Sequence, residues 1–384
     1  MLNEVGMGDK FINKQIGILG GGQLGRMLIQ KGIDWNLQFS VLDPDASAPC
    51  QGMASFTRGA LTDFETVMKF GRPCDILTVE IENVNTDALV KLEQQGKKVF
   101  PQPHILSLIQ DKRTQKQFFK DHNIPTAEFV LTSNLQDVFN HKNFLPAVNK
   151  LGREGYDGRG VQVLHSEIDL PKAFDAPGLL EKWIDFEKEI SVIVARNEQG
   201  QIVSYPSVEM VLHPEANLVE YLFAPAQIGR KVAEQADLIS RKVIAELKMV
   251  GVLAVEMFIT KSDEILVNEV APRPHNSGHQ TIEANITSQY EQHLRAILNL
   301  PLGSTAAISS SAMINLLGEE GYSGPARYVG MEEVLQVPGI YVHLYGKVLT
   351  KPFRKMGHVT ILDSDMENLK KKANFVKETL KIIV

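Results

Sequence analysis

The sequence predicts a protein of mixed α/β and α+β class, with an N-terminal doubly wound parallel-sheet domain, a central domain with antiparallel sheets and a small C-terminal β-rich domain. Up to about residue 110, short apolar runs alternate with helical stretches, which favours parallel strands joined by crossover helices. From residue 111, strand-like runs follow one another in local pairs, which is typical of antiparallel hairpins. The length of 384 residues exceeds what one compact core usually holds.

The elements can be placed along the chain in order. The predicted parallel strands are QIGILG, QFSVLD, CDILTVEI and KKVFPQ, with helices in GRMLIQKGI, FETVMKFG and DALVKLEQQG between them. The predicted hairpins pair FLPAVNK with VQVLHS, KEISVIVAR with IVSYPSVEM, and GVLAVEMFIT with EILVNEVAP. Two short strands and a final helix end the sequence. We expect domains at residues 1–110, 111–303 and 304–384, and a loose extension at residues 1–14.

Composition excludes several classes of function. The net charge of −6 gives no general electrostatic reason to bind nucleic acid or an acidic membrane surface. The two cysteines, Cys50 and Cys74, have no metal-ligand spacing and support no disulfide framework. No apolar run reaches the roughly 18 residues of a membrane span, and residues 1–14 lack the apolar core of a signal peptide. We therefore expect a cytoplasmic protein without nucleic-acid or membrane partners.

The stretch IGILGGGQLGRM, at residues 16–27, resembles a dinucleotide-binding turn. Its glycines follow a strand, and Asp43 ends the next strand, as in the fingerprint of nicotinamide enzymes. Taken alone, these residues favour an NAD-dependent dehydrogenase. We expect the N–H groups of this turn to face an anion and a ligand to lie at the strand ends, beside Gly22, Gln23 and Glu80.

A glycine-rich loop follows Lys150 in the stretch PAVNKLGREGYDGRGVQV. Glycines allow backbone amides to approach a polyphosphate closely, and a lysine at a strand end supplies a positive charge for it. The alternative is a surface hairpin that binds nothing.

The hairpin GVLAVEMFITKSDEILVNEV places two carboxylates together. If residues 261–264 form the loop, Thr260 pairs with Ile265 and Glu256 lies directly opposite Glu269. Like charges at such positions destabilise a sheet, and Mg²⁺ bound to carboxylates and nucleotide phosphates would compensate. Asn268 would add a neutral oxygen beside them. If the register differs by one residue, the two glutamates face opposite sides of the sheet.

A lysine-glycine loop together with a carboxylate pair indicates ATP used as a phosphoryl donor. The P-loop motif and the protein-kinase motifs are absent from the sequence. In LLEKWIDFEKEISV, residues 181–184 could present backbone groups to adenine and Glu189 could accept from ribose hydroxyls, unless these are solvated strand residues.

The loop APRPHNSGH follows the carboxylate pair directly. Arg273, His275 and Asn276 could bind an anion beside the metal, or they could be loop residues bonded to backbone. A zinc site is not expected, because His275 and His279 lack the HExxH pattern and lie among prolines.

Taken in order, GILGGGQLGRM, TVEIENV, GYDGRG, NEVAPRPHNSGH and EQHLRAI resemble segments of the ATP-grasp superfamily and, within it, of the 5-(carboxyamino)imidazole ribonucleotide synthetase family. The likeness runs from about Ile16 to His358. It implies that the central domain is an ATP-grasp domain and that the protein is an ATP-dependent carbon–nitrogen ligase of de novo purine biosynthesis. The implied reaction joins bicarbonate to 5-aminoimidazole ribonucleotide through carboxyphosphate, giving 5-carboxyaminoimidazole ribonucleotide, ADP and phosphate.

The resemblance also implies roles for individual residues. ATP would be held by Lys112, Lys150, Glu181, Lys182, Ile184, Glu189 and Asn268, and Mg²⁺ or Mn²⁺ by Glu256 and Glu269. The ribonucleotide would contact Gly22, Gln23, Glu80, Tyr156, Arg159, Lys347 and Arg354, the last two at its phosphate. The catalytic set would be Asp157, near the amine, with Arg273, His275 and Asn276 holding bicarbonate and then carboxyphosphate.

Three alternatives remain at this point. Another ATP-grasp ligase, such as a formate-dependent ribonucleotide transformylase, would share Lys150, Glu256 and Glu269 but differ at GYDGRG and RPHNSGH. A dehydrogenase would explain only the first 45 residues or so. A nucleotide sensor without activity would not need the intact lysine and glutamates. The family further suggests a homodimer, and a separate carboxyaminoimidazole ribonucleotide mutase as the next enzyme, because no mutase domain follows in this sequence.

Overall fold

The computed structural model describes residues 13–153, 160–212 and 219–384. Three residues expected at the substrate, Tyr156, Asp157 and Arg159, lie outside the described residues. Within the described ranges, every helix is too short or too polar to cross a membrane.

The N-terminal part is a five-stranded parallel sheet in the order β3-β2-β1-β4-β5, with helices between the strands. This confirms the doubly wound class. Since β1 is central and ends beside β4, the glycine turn after β1 and Glu80 after β4 leave the same edge of the sheet. The elements are β1 Gln15–Leu19, α1 Gln23–Ile33, β2 Gln38–Asp43, β3 Ser55–Arg58, α2 Phe64–Gly71, β4 Ile76–Val79, α3 Thr86–Gln94, β5 Lys98–Val99 and α4 Pro103–Ile109.

The central part begins with a helix and a small antiparallel sheet in the order β6-β9-β7-β8. The predicted pairing of FLPAVNK with VQVLHS is confirmed, as β7 with β8. The elements are α5 Lys112–Asp121, β6 Phe129–Thr132, α6 Leu135–Asn140, β7 Ala147–Leu151, β8 Val161–Leu164 and β9 Gly178–Lys182.

A larger antiparallel sheet follows, and the long helix α7 packs on it around an apolar cluster that includes Val243, Ile244 and Val255. The other two predicted hairpins are confirmed as β10 with β11 and β12, and β14 with β15. The elements are β10 Phe186–Arg196, β11 Ile202–Ser204, β12 Val208–Leu212, β13 Val219–Ala224, α7 Arg230–Leu247, β14 Gly251–Thr260, β15 Ile265–Ala271, α8 Thr281–Ala284 and α9 Gln289–Ile297.

The C-terminal part is small and β-rich, as expected, but its main strands continue the larger sheet. The order β15-β14-β10-β12-β13-β16-β21-β19 carries the sheet across the predicted boundary at residue 304, which itself stays a prediction. The elements are β16 Ser311–Leu317, β17 Gly324–Pro325, β18 Arg327–Val329, α10 Met331–Leu335, β19 Ile340–Leu344, β20 Leu349–Thr350, β21 Lys355–Leu362, α11 Met366–Thr379 and β22 Lys381–Ile383.

In the hairpin β14–β15 the two predicted carboxylates face each other, but the strands pair in a different register near the loop. At the loop end Ile259, and not Thr260, pairs with Ile265, so the predicted pairing there is wrong by one residue. An irregularity between Met257 and Glu256 then shifts the register, and Glu256 lies opposite Glu269. One extra residue on a strand produces such a shift, a β-bulge, and here that residue is Asn268.

Candidate active site

Three buried side chains form a charged cluster on the small sheet. Lys150 on β7 and Glu181 on the adjacent β9 bring Lys150 Nζ within 2.7 Å of Glu181 Oε2. Lys116 reaches the other oxygen from α5, with its Nζ 2.8 Å from Glu181 Oε1. The exposed fractions of the Lys116, Lys150 and Glu181 side chains are 3%, 11% and 5%, so water screens this cluster poorly.

The charges in this cluster do not balance. Burial disfavours the ionised form of Glu181, but Lys150 and Lys116 outweigh it and hold the pKa of this carboxyl at about 2. Burial lowers the pKa of Lys116 to about 8, which leaves the group protonated at neutral pH. Two ammonium groups therefore face one carboxylate, and the excess positive charge suits a phosphate. Lys150 Nζ also lies 3.1 Å from Oδ1 of Asn268, the bulge residue.

Three carboxylates lie together on the larger sheet. Glu256 on β14 faces Glu269 on β15, and Glu189 comes from β10 on the other side of β14. Lys112, the first residue of α5, donates to Glu269 and holds the pKa of that carboxyl at about 2. Burial and then the charge of Glu269 raise the pKa of Glu189 to about 7. Burial, Glu269 and Glu189 also raise the pKa of Glu256.

Within the described residues, no group of three or more His, Cys, Asp or Glu side chains is placed to hold a metal ion by itself, so a divalent cation beside Glu256 and Glu269 would need the phosphate oxygens of a nucleotide as further ligands. The raised pKa values show that Lys112 alone does not compensate the three acids, and Mg²⁺ prefers carboxylate oxygens combined with phosphate oxygens. Asn268 lies next to Glu269 with its amide oxygen turned toward Lys150. Asn268 thus connects the carboxylate pair on the larger sheet to the lysine cluster on the small sheet.

The loop after β15 is held by partners on three other elements. Arg273 Nε lies 2.8 Å from Oε1 of Glu82 in the N-terminal part. Asn276 exchanges two hydrogen bonds with Asn315 on β16, at 2.8 and 2.9 Å. His275 Nε2 lies 3.4 Å from Glu256 Oε1, and burial, reinforced by Arg273, lowers the pKa of His275 to about 3, so that its ring is neutral.

The glycine turn after β1 is closed by carboxylates of the protein. Gly21 N–H donates to Asp43 Oδ2 at 2.7 Å, and Leu24 N–H donates to Glu80 Oε1 at 3.2 Å. The expectation that the turn's N–H groups face an anionic ligand is therefore wrong for these two groups. A Cβ at position 22 would lie 2.3 Å from Glu80 Oε1, which explains why glycine precedes Gln23 at the start of α1.

Glu80, in the N-terminal part, interacts electrostatically with residues of the central and C-terminal parts. Burial raises the pKa of Glu80 to about 7, and the positive charges of Arg273 and Lys347 oppose this shift. Lys347 Nζ donates to the carbonyl of Lys355 at 2.8 Å and lies over the ring of Tyr345. Residues expected at the ribonucleotide thus come together from the N-terminal and C-terminal parts around the loop after β15.

The remaining expected residues lie at the edges of this region. Arg354 Nη1 donates to the carbonyl of Leu349 at 2.8 Å. Lys182 Nζ lies 5.3 Å from the ring centre of Phe144, and because side chains alternate along a strand it faces away from Glu181. Ile184 is half-buried in the connection from β9 to β10. The roles of these residues stay predictions.

Sequence reasoning missed several residues of the site. Lys116 lies four residues after Lys112 on the same face of α5, a spacing that was visible in DKRTQK. Asp43, which the sequence placed only in a dinucleotide-binding fingerprint, fixes the glycine turn by accepting from Gly21 N–H. Glu82 lies in the segment TVEIENV at an expected ligand-binding edge, but its contact with Arg273 was not predicted, and Asn315 gave no signal, since both partners come from distant parts of the chain.

Family models match all three parts. Residues 117–290 match the ATP-grasp domain, residues 13–110 the ribonucleotide synthetase preATP-grasp domain, and residues 311–372 the phosphoribosylaminoimidazole carboxylase C-terminal domain. The chain is therefore an ATP-grasp protein. Its two antiparallel sheets bring lysines and paired carboxylates together.

Comparison with individual relatives identifies the family within the ATP-grasp proteins. N5-carboxyaminoimidazole ribonucleotide synthetase from Thermotoga maritima is 42% identical, with a TM-score of 0.89 over 96% of this chain and 99% of that chain. The Aspergillus clavatus synthase, solved with ADP and 5-aminoimidazole ribonucleotide, is 32% identical, with a TM-score of 0.87 over 95% of this chain and 98% of that chain. This chain belongs to the N5-carboxyaminoimidazole ribonucleotide synthetase family.

Some curated relatives are longer than this chain. The phosphoribosylaminoimidazole carboxylase of Candida albicans is 35% identical in an alignment of 381 positions that covers 95% of this chain and 66% of that protein. The chain thus spans about two thirds of the length of that relative.

Replacing Lys116 by methionine should lower the free energy of unfolding by about 2–3 kcal/mol. The buried Glu181 carboxylate then keeps Lys150 on one oxygen but loses the ammonium partner of its other oxygen. Lys261→Met is the control: Lys261 pairs with Asp185 on the surface, where both side chains are more than two-thirds exposed, and its loss should cost less than about 0.5 kcal/mol. Urea denaturation measures both values. Equal small changes would contradict a stabilising role for the buried cluster.

The same variant should change the acid dependence of stability. The pKa of Glu181 is about 2 in the folded protein and near its ordinary value of 4.5 in the unfolded chain. The contribution of the Glu181 carboxylate to stability is complete above its pKa in the unfolded chain, and it is lost as the pH falls toward its pKa in the folded protein. Lys116→Met should make stability fall less steeply over that range.

Proposed function

We propose that this protein catalyses the ATP-dependent carboxylation of 5-aminoimidazole ribonucleotide with bicarbonate, giving 5-carboxyaminoimidazole ribonucleotide, ADP and phosphate in purine biosynthesis. The observation that carries this proposal is the group of three carboxylates, Glu189, Glu256 and Glu269, beside the lysines Lys112 and Lys150. The relative from Aspergillus clavatus, solved with ADP and the ribonucleotide, supports the choice of substrate.

The nucleotide would lie between the two antiparallel sheets. Lys150 holds its phosphates, residues 181–184 contact the adenine through backbone, and Glu189 accepts from the ribose. Glu256 and Glu269 hold Mg²⁺ or Mn²⁺, with Asn268 as a neutral neighbour. When bound, the metal ion neutralises phosphate charge and orients the γ-phosphoryl group.

The loop after β15 holds the one-carbon substrate. Arg273 supplies a positive charge and Asn276 an amide, while the neutral ring of His275 offers a hydrogen bond without adding a charge. An oxygen of bicarbonate attacks the γ-phosphorus and ADP leaves, which forms carboxyphosphate. The exocyclic amine of the ribonucleotide then attacks the carboxyl carbon, phosphate leaves, and the nitrogen loses one proton.

The ribonucleotide would lie between the N-terminal and C-terminal parts. Glu80 and Lys347 act on each other electrostatically there, and Lys347 and Arg354 are assigned to its phosphate. The remaining assigned contacts are Gly22, Gln23, Tyr156 and Arg159, and Asp157 is assigned as the base or orienting group at the amine. We further propose a cytoplasmic homodimer whose product passes to a separate carboxyaminoimidazole ribonucleotide mutase.

An assay of ADP release tests the reaction directly. With Mg-ATP, turnover should require both 5-aminoimidazole ribonucleotide and bicarbonate, since bicarbonate accepts the phosphoryl group and the amine of the ribonucleotide consumes the carboxyphosphate that forms. ADP release that ignores the ribonucleotide would contradict the proposal, and oxidation of NADH with a 2-oxo acid would restore the dehydrogenase alternative.

Glu269→Ala should reduce ADP formation by about 100-fold or more, because it removes a metal ligand and the partner of Lys112. Glu264→Ala, on the exposed turn of the same hairpin, is the matched control and should keep wild-type turnover. Near-normal ADP formation by Glu269→Ala would remove this residue from the metal site.

Lys347→Ala should raise the KM for the ribonucleotide by roughly 10- to 100-fold, the effect of losing one charge-assisted hydrogen bond to a phosphate. The KM for ATP should change little. Lys351→Ala alters an exposed lysine nearby and serves as the control in the same steady-state assay. An unchanged ribonucleotide KM would exclude Lys347 from the phosphate site.

A further inference from the structure

The side-chain amide of Gln289, the first residue of α9, is bonded to the backbone of His275 at two points. Gln289 Oε1 accepts from His275 N–H at 2.9 Å, and Gln289 Nε2 donates to the His275 carbonyl at 2.7 Å. Gln289 is 0% exposed. A Cβ at position 278 would lie 2.4 Å from Gln289 Oε1, so Gly278 leaves the space that this amide occupies.

The ring of His275 is fixed by a second set of contacts. Its Nδ1 accepts from the N–H of Ser277 at 3.3 Å and lies 2.8 Å from Ser277 Oγ, which in turn lies 2.8 Å from Ser191 Oγ. Because Nδ1 accepts, the neutral ring carries its proton on Nε2, the atom 3.4 Å from Glu256 Oε1. Gln289 thus fixes the backbone of a residue whose ring already has a fixed tautomer.

We propose that Gln289 is a positioning residue for the carboxylation step, which holds residues 273–276 in the geometry that binds bicarbonate. This inference rests on the proposed function. Among the described residues, the side chain of Gln289 bonds the backbone of His275, with its Nε2 also 3.4 Å from His279 Nδ1, and its link to the reaction is the backbone of His275. A buried amide that bonds both the N–H and the carbonyl of one residue fixes that backbone, because moving it would leave the His275 N–H unsatisfied and the His275 carbonyl with the Gly278 N–H alone.

The same helix provides a matched control. Gln292, also 0% exposed, bonds the backbone of Gly303 in the same way: its Nε2 donates to the Gly303 carbonyl at 2.9 Å and its Oε1 accepts from Gly303 N–H at 2.8 Å. Gln289 and Gln292 therefore share helix, burial and chemistry. They differ in the loop that they hold, and Gly303 has no assigned part in the reaction.

The experiment compares Gln289→Leu with Gln292→Leu in the ADP-release assay, with urea denaturation of both. Gln292→Leu removes the side-chain partner of both the Gly303 N–H and the Gly303 carbonyl, whereas after Gln289→Leu the His275 carbonyl keeps the Gly278 N–H, so Gln289→Leu should lose no more stability than Gln292→Leu. Gln289→Leu should raise the KM for bicarbonate and lower kcat, together reducing kcat/KM by about 10- to 100-fold. Its KM for ATP should stay within about twofold of wild type, and Gln292→Leu should keep all three constants.

Gly278→Ala provides a second route that keeps Gln289 in the sequence, since the three atoms nearest to the added methyl group all belong to the Gln289 amide, at 2.4, 2.6 and 2.9 Å. This variant should show the same rise in the bicarbonate KM, which covers the case in which Gln289→Leu does not fold. Equal kinetic effects of Gln289→Leu and Gln292→Leu would overturn the inference, as would an unchanged bicarbonate KM in both Gln289→Leu and Gly278→Ala. A wild-type protein without ribonucleotide-dependent turnover would instead contradict the proposed function.

Discussion

The site depends on two carboxylates placed opposite each other on adjacent strands. Glu256 and Glu269 would destabilise the hairpin that carries them unless positive charge is supplied. Lys112 supplies part of it to Glu269, while burial first and then the charges of Glu269 and Glu189 raise the pKa of Glu256. The proposed Mg²⁺ would supply the rest of this positive charge.

The two sheets around this pair carry charged groups of opposite sign. The small sheet carries an excess of positive charge in the Lys116, Glu181 and Lys150 cluster, and the larger sheet carries an excess of negative charge. A nucleotide with its metal ion has the opposite charge at each place: phosphates near the lysines and the cation near the glutamates. The bulge residue Asn268, bonded to Lys150, connects the two regions. Binding of Mg-ATP would neutralise the charges on both sheets.

The continuous sheet explains how distant segments reach one place. Because β13 pairs with β16, the main C-terminal strands are part of the same sheet as the β14–β15 hairpin. Arg273 follows β15 and Lys347 follows β19 of this sheet, and both act electrostatically on Glu80. Glu80 itself follows β4 of the separate parallel sheet, which the ion pair of Arg273 with Glu82 connects to the loop after β15.

Local patterns predicted much of this molecule, and contacts between distant residues were the part that could not be predicted. Alternation and run length gave the doubly wound sheet and the three hairpins, and the facing of Glu256 and Glu269 was expected from loop length. The shift at Asn268 was missed, because a bulge leaves no trace in apolar alternation. The contacts of Glu80 with Leu24 N–H and of Gln289 with His275 depend on how separate elements pack, which sequence spacing does not encode.

The most direct test of the metal-binding carboxylate pair is calorimetric titration of a non-hydrolysable ATP analogue with and without Mg²⁺, for wild type and for Glu256→Gln/Glu269→Gln. The double variant keeps the size of both side chains and removes their charge. Mg²⁺ should strengthen wild-type binding by about tenfold or more, equal to about 1.4 kcal/mol, and should leave the affinity of the variant nearly unchanged. An equal gain from Mg²⁺ in both proteins would show that the metal binds elsewhere and would contradict the account.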